Sequence, residues 1–189
     1  MPNATTSKAI SGGSADAGPE DVPNVKLRTA TENDWPMIRR WLARPDIVRW
    51  WGPKATTEAE VMLALSTEHA ICCIIEADGM PVGYAHALDA GLWGEPLPKE
   101  LPVGSWDIDL FVASPEHRGR GVGALALQLA TREVFSTTLA VAACVFVAVA
   151  NERAVRAYES AGFRWRAVVR DPVKGPEWLM IAERPVQRW

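Results

Sequence analysis

Residues Arg118-Gly119-Arg120-Gly121-Val122-Gly123 combine three glycines with two guanidinium groups in one short loop. An alternating segment precedes them, and an apolar segment of helical period follows from Ala124. Glycines let a backbone turn tightly and approach a ligand closely, and the first N–H groups of the helix behind point outward with the positive end of its dipole. Arg118 and Arg120 add charge and forked donors that match phosphate oxygens. The stretch from Arg118 to Ala124 is therefore expected to hold a phosphorylated ligand. One well-known phosphate motif is excluded and a second fits poorly. A P-loop needs Lys and then Ser or Thr at its end, and Ala124 follows Gly123 here. A dinucleotide fingerprint needs GxGxxG with an acid about 20 residues further on. This chain has GxGxG, and 141–150 contains no acid.

A second group of residues carries the opposite charge. Asp89, Glu95, Glu100, Asp107 and Asp109 fall within 21 residues in which Lys99 is the one basic side chain. Lining a cleft, they would attract a polycationic amine while the arginine-glycine loop holds an anion, so two ligands are sorted by opposite fields. The chain has nine tryptophans, and Trp50, Trp51, Trp93 and Trp106 sit beside polar stretches where they can wall a pocket. His69, His86 and His117 lack metal-ligand spacing and read as ordinary residues, so no metal is expected.

These groups need elements to position them. Residues 25–28 alternate like a strand, and Thr31-Glu32-Asn33-Asp34 is a helix N-cap signature. A helix through Trp35, Ile38, Trp41 and Leu42 should end at Pro45, with 47–52 a connecting turn and 57–68 a second helix. Segments 70–75 and 81–87 flank Asp78-Gly79, a two-residue hairpin signal. A long loop over 89–104 leads to a strand over 106–112, whose polar face carries Asp107 and Asp109. A helix over 124–135 follows the glycine loop. The small apolar run 141–149 reads as a strand covered on both faces. Asn151 caps a short helix that ends at Gly162, and two further strands lie at 163–169 and 178–182. The order β-α-α-β-β-β-α-β-α-β-β predicts an α/β (α+β) single domain with a mixed sheet flanked by helices.

Composition agrees. The chain has 189 residues, 48% hydrophobic and 23% charged, with a net charge of −3, which argues against a general nucleic-acid binder. Residues 1–24 hold almost no large apolar side chain and are expected to form a disordered tail before a body over 25–189. No apolar run is long enough to cross a membrane, and no export signal stands at the start. Cys72, Cys73 and Cys144 form no CxxC and cannot all pair, so a reducing, cytoplasmic setting is expected. A monomer and a homodimer are both compatible with these features.

The pattern Arg118-x-x-Gly121-x-Gly123 resembles the pyrophosphate-binding signature of the GNAT superfamily of N-acetyltransferases. Asn151, Ala154, Tyr158, Gly162 and Phe163 resemble a second stretch of that superfamily, in the correct order and spacing. Within it, Trp41 to Gly52, then Gly83-Tyr84-Ala85, Trp93 and Ile108-Asp109 are similar to the aminoglycoside 6′-N-acetyltransferase branch. The resemblance covers about residues 25–184. It implies a splayed sheet with acetyl-CoA as cosubstrate, bound by Arg118 to Ala124 and Asn151 and by backbone near Phe111 or Val112, one N–H of which would meet the thioester oxygen. It implies Asp109 as base, proton relay or acceptor anchor, and Tyr158 as proton donor to the departing thiolate. The acceptor would be an aminoglycoside, most simply at its 6′ amine, against Trp51, Trp93, Glu95, Asp107 and Asp109. Other acceptors (a small amine or a protein N-terminus) and a non-catalytic acyl-CoA-binding module are the competing readings. One departure stands out. Where several members of that branch carry an Asp facing substrate, this chain has Phe146, so that anchor is missing or is replaced from Asp171 or Glu177.

Overall fold

The computed structural model describes residues 23–93, 96–172 and 175–185. The tail expected over 1–24 lies almost wholly outside them, as do Glu95 and the side chain of Trp93. Strand β1 (Val25–Thr29) leads through a single 3-10 turn into helix α1 (Trp35–Leu42), followed by α2 (Pro45–Trp51) and α3 (Lys54–Ser66). Strands β2 (Ile71–Ala77), β3 (Met80–Asp89) and β4 (Ser105–Val112) precede helix α4 (Val122–Thr137). Strand β5 (Ala142–Ala148), helix α5 (Glu152–Ser160), and strands β6 (Arg164–Asp171) and β7 (Gly175–Glu183) complete the domain.

One expectation is overturned here: 47–52 is not a turn but most of helix α2. Pro45 does stop α1, yet it also occupies the first turn of α2, where a missing N–H costs nothing and the fixed φ suits a helix. Asp46 beside it complements the dipole. The hairpin expectation holds. Asp78 and Gly79 have φ of 52° and 80°, the paired left-handed conformation whose twist matches the flanking strands.

The seven strands form one sheet in the order β1-β2-β3-β4-β5-β7-β6. All neighbours are antiparallel except β4 and β5, which are parallel through Ser105↔Ala142, Trp106↔Ala143 and Asp107↔Cys144. That ladder then stops, while β3 stays paired with β4 out to Val112 and β7 stays paired with β5 out to Ala148. The sheet therefore opens between its two parallel strands. One core layer packs α4 and α5 on one face, around Ile108, Leu127, Val145, Val147, Tyr158 and Phe163. A second packs α1, α2 and α3 on the other, around Ile38, Leu42, Ile47, Val61, Tyr84 and Phe111. Gly83 lets β3 and β4 meet at the mouth of the opening: a Cβ there would fall 2.2 Å from the Phe111 carbonyl oxygen.

Candidate active site

The opening is a cavity of about 770 Å³, with 109–112 of β4 on one wall and 146–148 of β5 on the other. At its mouth lies the arginine-glycine loop. Gly119 and Gly121 adopt φ of 80° and 78°, and Gly121 is the N-cap of α4. No side chain caps that helix, so its first N–H groups face the cavity without a side-chain acceptor. A Cβ on Gly121 would meet nothing within 4 Å, which leaves open space in front of the loop. Such a cradle, with Gly123 and Ala124 lining the cavity behind it, fits a diphosphate. Val122 contributes backbone alone, because its side chain is fully buried among Ile75, Val82, Ala85 and Ala126. Arg120 is exposed at the tip.

Arg118 has a more structural setting than a phosphate-facing fork. Its Nε donates to the Val112 carbonyl at 2.7 Å, Nη2 donates to Ala113 O at 3.3 Å, and Nη1 donates to Asp46. The guanidinium thus ties the loop to the end of β4 and to α2. Asp46 also accepts from Arg44, and the two arginines, Arg44 foremost, hold its carboxyl at about 2 against the opposing effect of burial. A carboxyl lowered on folding stabilises above its ordinary range and loses that contribution as pH falls toward its folded value. Asp46→Asn is therefore expected to cost under about 1 kcal/mol near pH 7, the scale of a partly exposed pair, and the deficit should shrink below about pH 4 and close only near pH 2. Melting curves of the two proteins at those pH values check it.

The acceptor side follows from strand pleat. Residues directly paired across a sheet share a face, and so do residues two apart in one strand. Asp107 pairs with Leu88 and Cys144, and Asp109 with His86. These lie on the face opposite α4 and α5. Asp109 is about a third exposed and lines the cavity, with its Oδ2 3.9 Å from Nε2 of buried His86. Trp51, at the end of α2, stands edge-on to His86 and Phe111 at 6.0 and 5.0 Å between ring centres. Asp107 is buried, 4.0 Å from the Cys144 sulfur, and does not line the cavity. Burial, and then Asp107, push the Cys144 thiol well up, which leaves it inert as a nucleophile.

Backbone direction separates the two expected N–H groups near Phe111 and Val112. The Ala113 N–H donates to Val82 O at 2.7 Å, so by alternation Phe111 also faces β3 while Val112 presents its N–H toward the opening. Tyr158 reaches the same opening from α5, buried beside Phe163 at 6.4 Å between ring centres. Burial raises its phenol, and the carboxylates of Asp109, Asp107 and Glu177 raise it further. The hydroxyl therefore stays protonated at working pH, a donor rather than a base. Asn151 lines the cavity near α5 and accepts from the Ala154 N–H at 3.3 Å as the helix cap. The structure thus brings Asp109, Trp51, Phe111, Val112, the loop, Asn151 and Tyr158 to one cavity.

Two contributors, His86 and Asp46, escape a reading of the sequence, and a third, Glu177, is only one of two candidates there. His86 reads as ordinary until the β3–β4 register sets it against Asp109. Asp46 is 72 residues from Arg118, and only the packing of α2 joins them. Glu177 lines the cavity from β7, at 7% exposure, through a strand pairing that no local pattern announces. Among the described residues no group of His, Cys, Asp and Glu could hold a metal ion, and no helix is long and apolar enough to cross a membrane.

Comparison with known proteins agrees with this geometry. The acetyltransferase (GNAT) domain model matches residues 30–170. Aminoglycoside N(6′)-acetyltransferase type 1 of Klebsiella pneumoniae is 31% identical over 173 residues, 85% of this chain and 84% of that protein. The protein of the same name from Serratia marcescens matches equally. Among solved structures, aminoglycoside acetyltransferase AAC(6′)-Ib in complex with coenzyme A and kanamycin superposes with a TM-score of 0.72 at 29% identity, covering 85% of this chain and 95% of that one. A spermidine N-acetyltransferase of Vibrio cholerae, in complex with CoA and spermine, shares the fold at a TM-score of 0.65 and 16% identity. With the opened mixed sheet, the glycine loop at its mouth and a matching domain model over most of its length, the chain belongs to the GNAT family of acetyltransferases.

Proposed function

We propose that the protein transfers the acetyl group of acetyl-CoA to an amino group of an aminoglycoside, at the 6′ position. The observation that carries this reading is the cavity itself: a cationic glycine loop at one end, and carboxylates with an aromatic wall at the other, meeting where β4 and β5 part. Acetyl-CoA supplies the activated acetyl group. The loop from Arg118 to Ala124 holds its diphosphate through the first N–H groups of α4, with Asn151 alongside. The Val112 N–H donates to the acyl oxygen as negative charge grows there, a contribution of about 3 kcal/mol for a preorganised donor. An ammonium has no lone pair, so the acceptor must lose a proton. Asp109, with His86 behind it, anchors the amine and takes that proton. Tyr158, kept protonated by its surroundings, donates to the departing sulfur. Trp51 forms the apolar wall against the sugar ring.

Purified protein given acetyl-CoA and kanamycin should release thiol in proportion to acetylated drug, with the acetyl group at the 6′ nitrogen by NMR. Thiol release with a simple polyamine but with no aminoglycoside would overturn the acceptor, and CoA binding without turnover on any amine would overturn the enzyme.

A further inference from the structure

Arg118, the arginine of the loop signature, is engaged inside the fold. Its guanidinium nitrogens donate to Val112 O, Ala113 O and Asp46, and its side chain is only 22% exposed. A second guanidinium reaches the same loop from another element. Arg153 lies in the first turn of α5, is exposed and lines the cavity. Its Nη2 stands 3.4 Å from where a Cβ on Gly119 would be, so it lies over the bare backbone of the loop. Arg156, one turn further on, is paired with Glu152, whereas Arg153 makes no hydrogen bond or ion pair among the described residues. Resting on the acetyl-CoA reading above, we propose that Arg153 is the guanidinium that binds the diphosphate of the cosubstrate, and that Arg118 shapes the loop without touching a phosphate.

The fold itself gains nothing from a cation at this position. The first turn of a helix favours negative charge, so the guanidinium of Arg153 opposes the dipole of α5. The first N–H groups of α4 face the same cavity from Gly121. An anion bound between them is attracted by both, and its charge offsets the repulsion that the empty site carries. The chemistry of the fork also fits. A planar guanidinium can take two phosphate oxygens at once, while the loop amides take others.

Calorimetry of CoA with wild type and Arg153→Gln, without any acceptor, tests this apart from turnover. Arg153→Gln should weaken CoA binding about tenfold, the lower end for a charge-assisted hydrogen bond because the side chain is exposed, and should raise the KM for acetyl-CoA to match. The melting temperature of the CoA-free protein should stay at the wild-type value, since Arg153 holds nothing else in place. Dephospho-CoA, which lacks the ribose 3′-phosphate but keeps the diphosphate, should show the same tenfold loss. S-acetylpantetheine, which has no phosphate, should react with equal kcat/KM in both proteins. Arg153→Lys, which keeps the charge without the planar fork, should recover part of the loss. Unchanged CoA binding in Arg153→Gln would overturn the assignment, and a loss that disappears with dephospho-CoA would overturn the diphosphate as its target. Wild type that binds no CoA would instead reject the cosubstrate reading, so the two failures are distinct.

Discussion

Asp109→Asn is expected to lower kcat for acetyl transfer by about 10²- to 10⁴-fold, the usual worth of a positioned proton acceptor. The substitution keeps size and shape, and the Asp109 side chain is about a third exposed on the cavity wall, so the fold should not depend on its charge. What asparagine cannot do is accept the proton of the incoming ammonium. Only acceptor that is already neutral then reacts, and that fraction grows about tenfold per pH unit until the amine's own pKa is reached. The deficit relative to wild type should therefore shrink as pH rises. Rate profiles of both proteins between about pH 6 and pH 9 read this directly. A variant with a raised KM, an intact kcat and a deficit independent of pH would leave Asp109 as an anchor only.

Tyr158→Phe should lower kcat by about 10²-fold, the lower end for proton donation, because a thiol is already a moderate leaving group. The prediction is clean because the ring is what packs. Tyr158 sits in the core layer with Val145, Val147 and Phe163, and phenylalanine keeps that burial. Its hydroxyl, held protonated by burial and by Asp109, Asp107 and Glu177, is all that is lost. Binding of CoA, measured by calorimetry, and the melting temperature should stay near wild type. A kcat within twofold would assign the residue to packing alone.

The two substitutions probe the two proton transfers of the proposed reaction. Asp109 and Tyr158 stand on different elements and on opposite faces of the sheet, and they come together only because β4 and β5 part after Asp107 and Cys144. On the proposed reading, the parting also makes room for a thioester between strands that would otherwise be hydrogen-bonded. A closed ladder would leave Val112 bonded to a neighbouring strand. An open one leaves its N–H facing the cavity, where the proposed reaction would develop charge on the acyl oxygen.

Much of this was legible in the chain itself, and the reason is locality. The left-handed glycines at 119 and 121, the cap at Asn151, the hairpin at Asp78-Gly79 and the alternation that puts Asp109 on a polar face all depend on neighbours within a few residues, so residue type and spacing carry them. Pro45 shows the limit of such reading: one residue ends α1 and starts α2, and local rules read only the first role. Long-range pairing decided everything else. The His86–Asp109 contact follows from the β3–β4 register, the Asp46–Arg118 tie from how α2 packs, and the entry of Glu177 into the cavity from β7 lying beside β5. Which residues can bind an anion, accept a proton or cap a helix is legible from residue type and order, because those capacities belong to side chains and short backbone turns. Which of them share one cavity depends on the assembled fold, because strand order and register are settled by burial of whole faces rather than by any one segment.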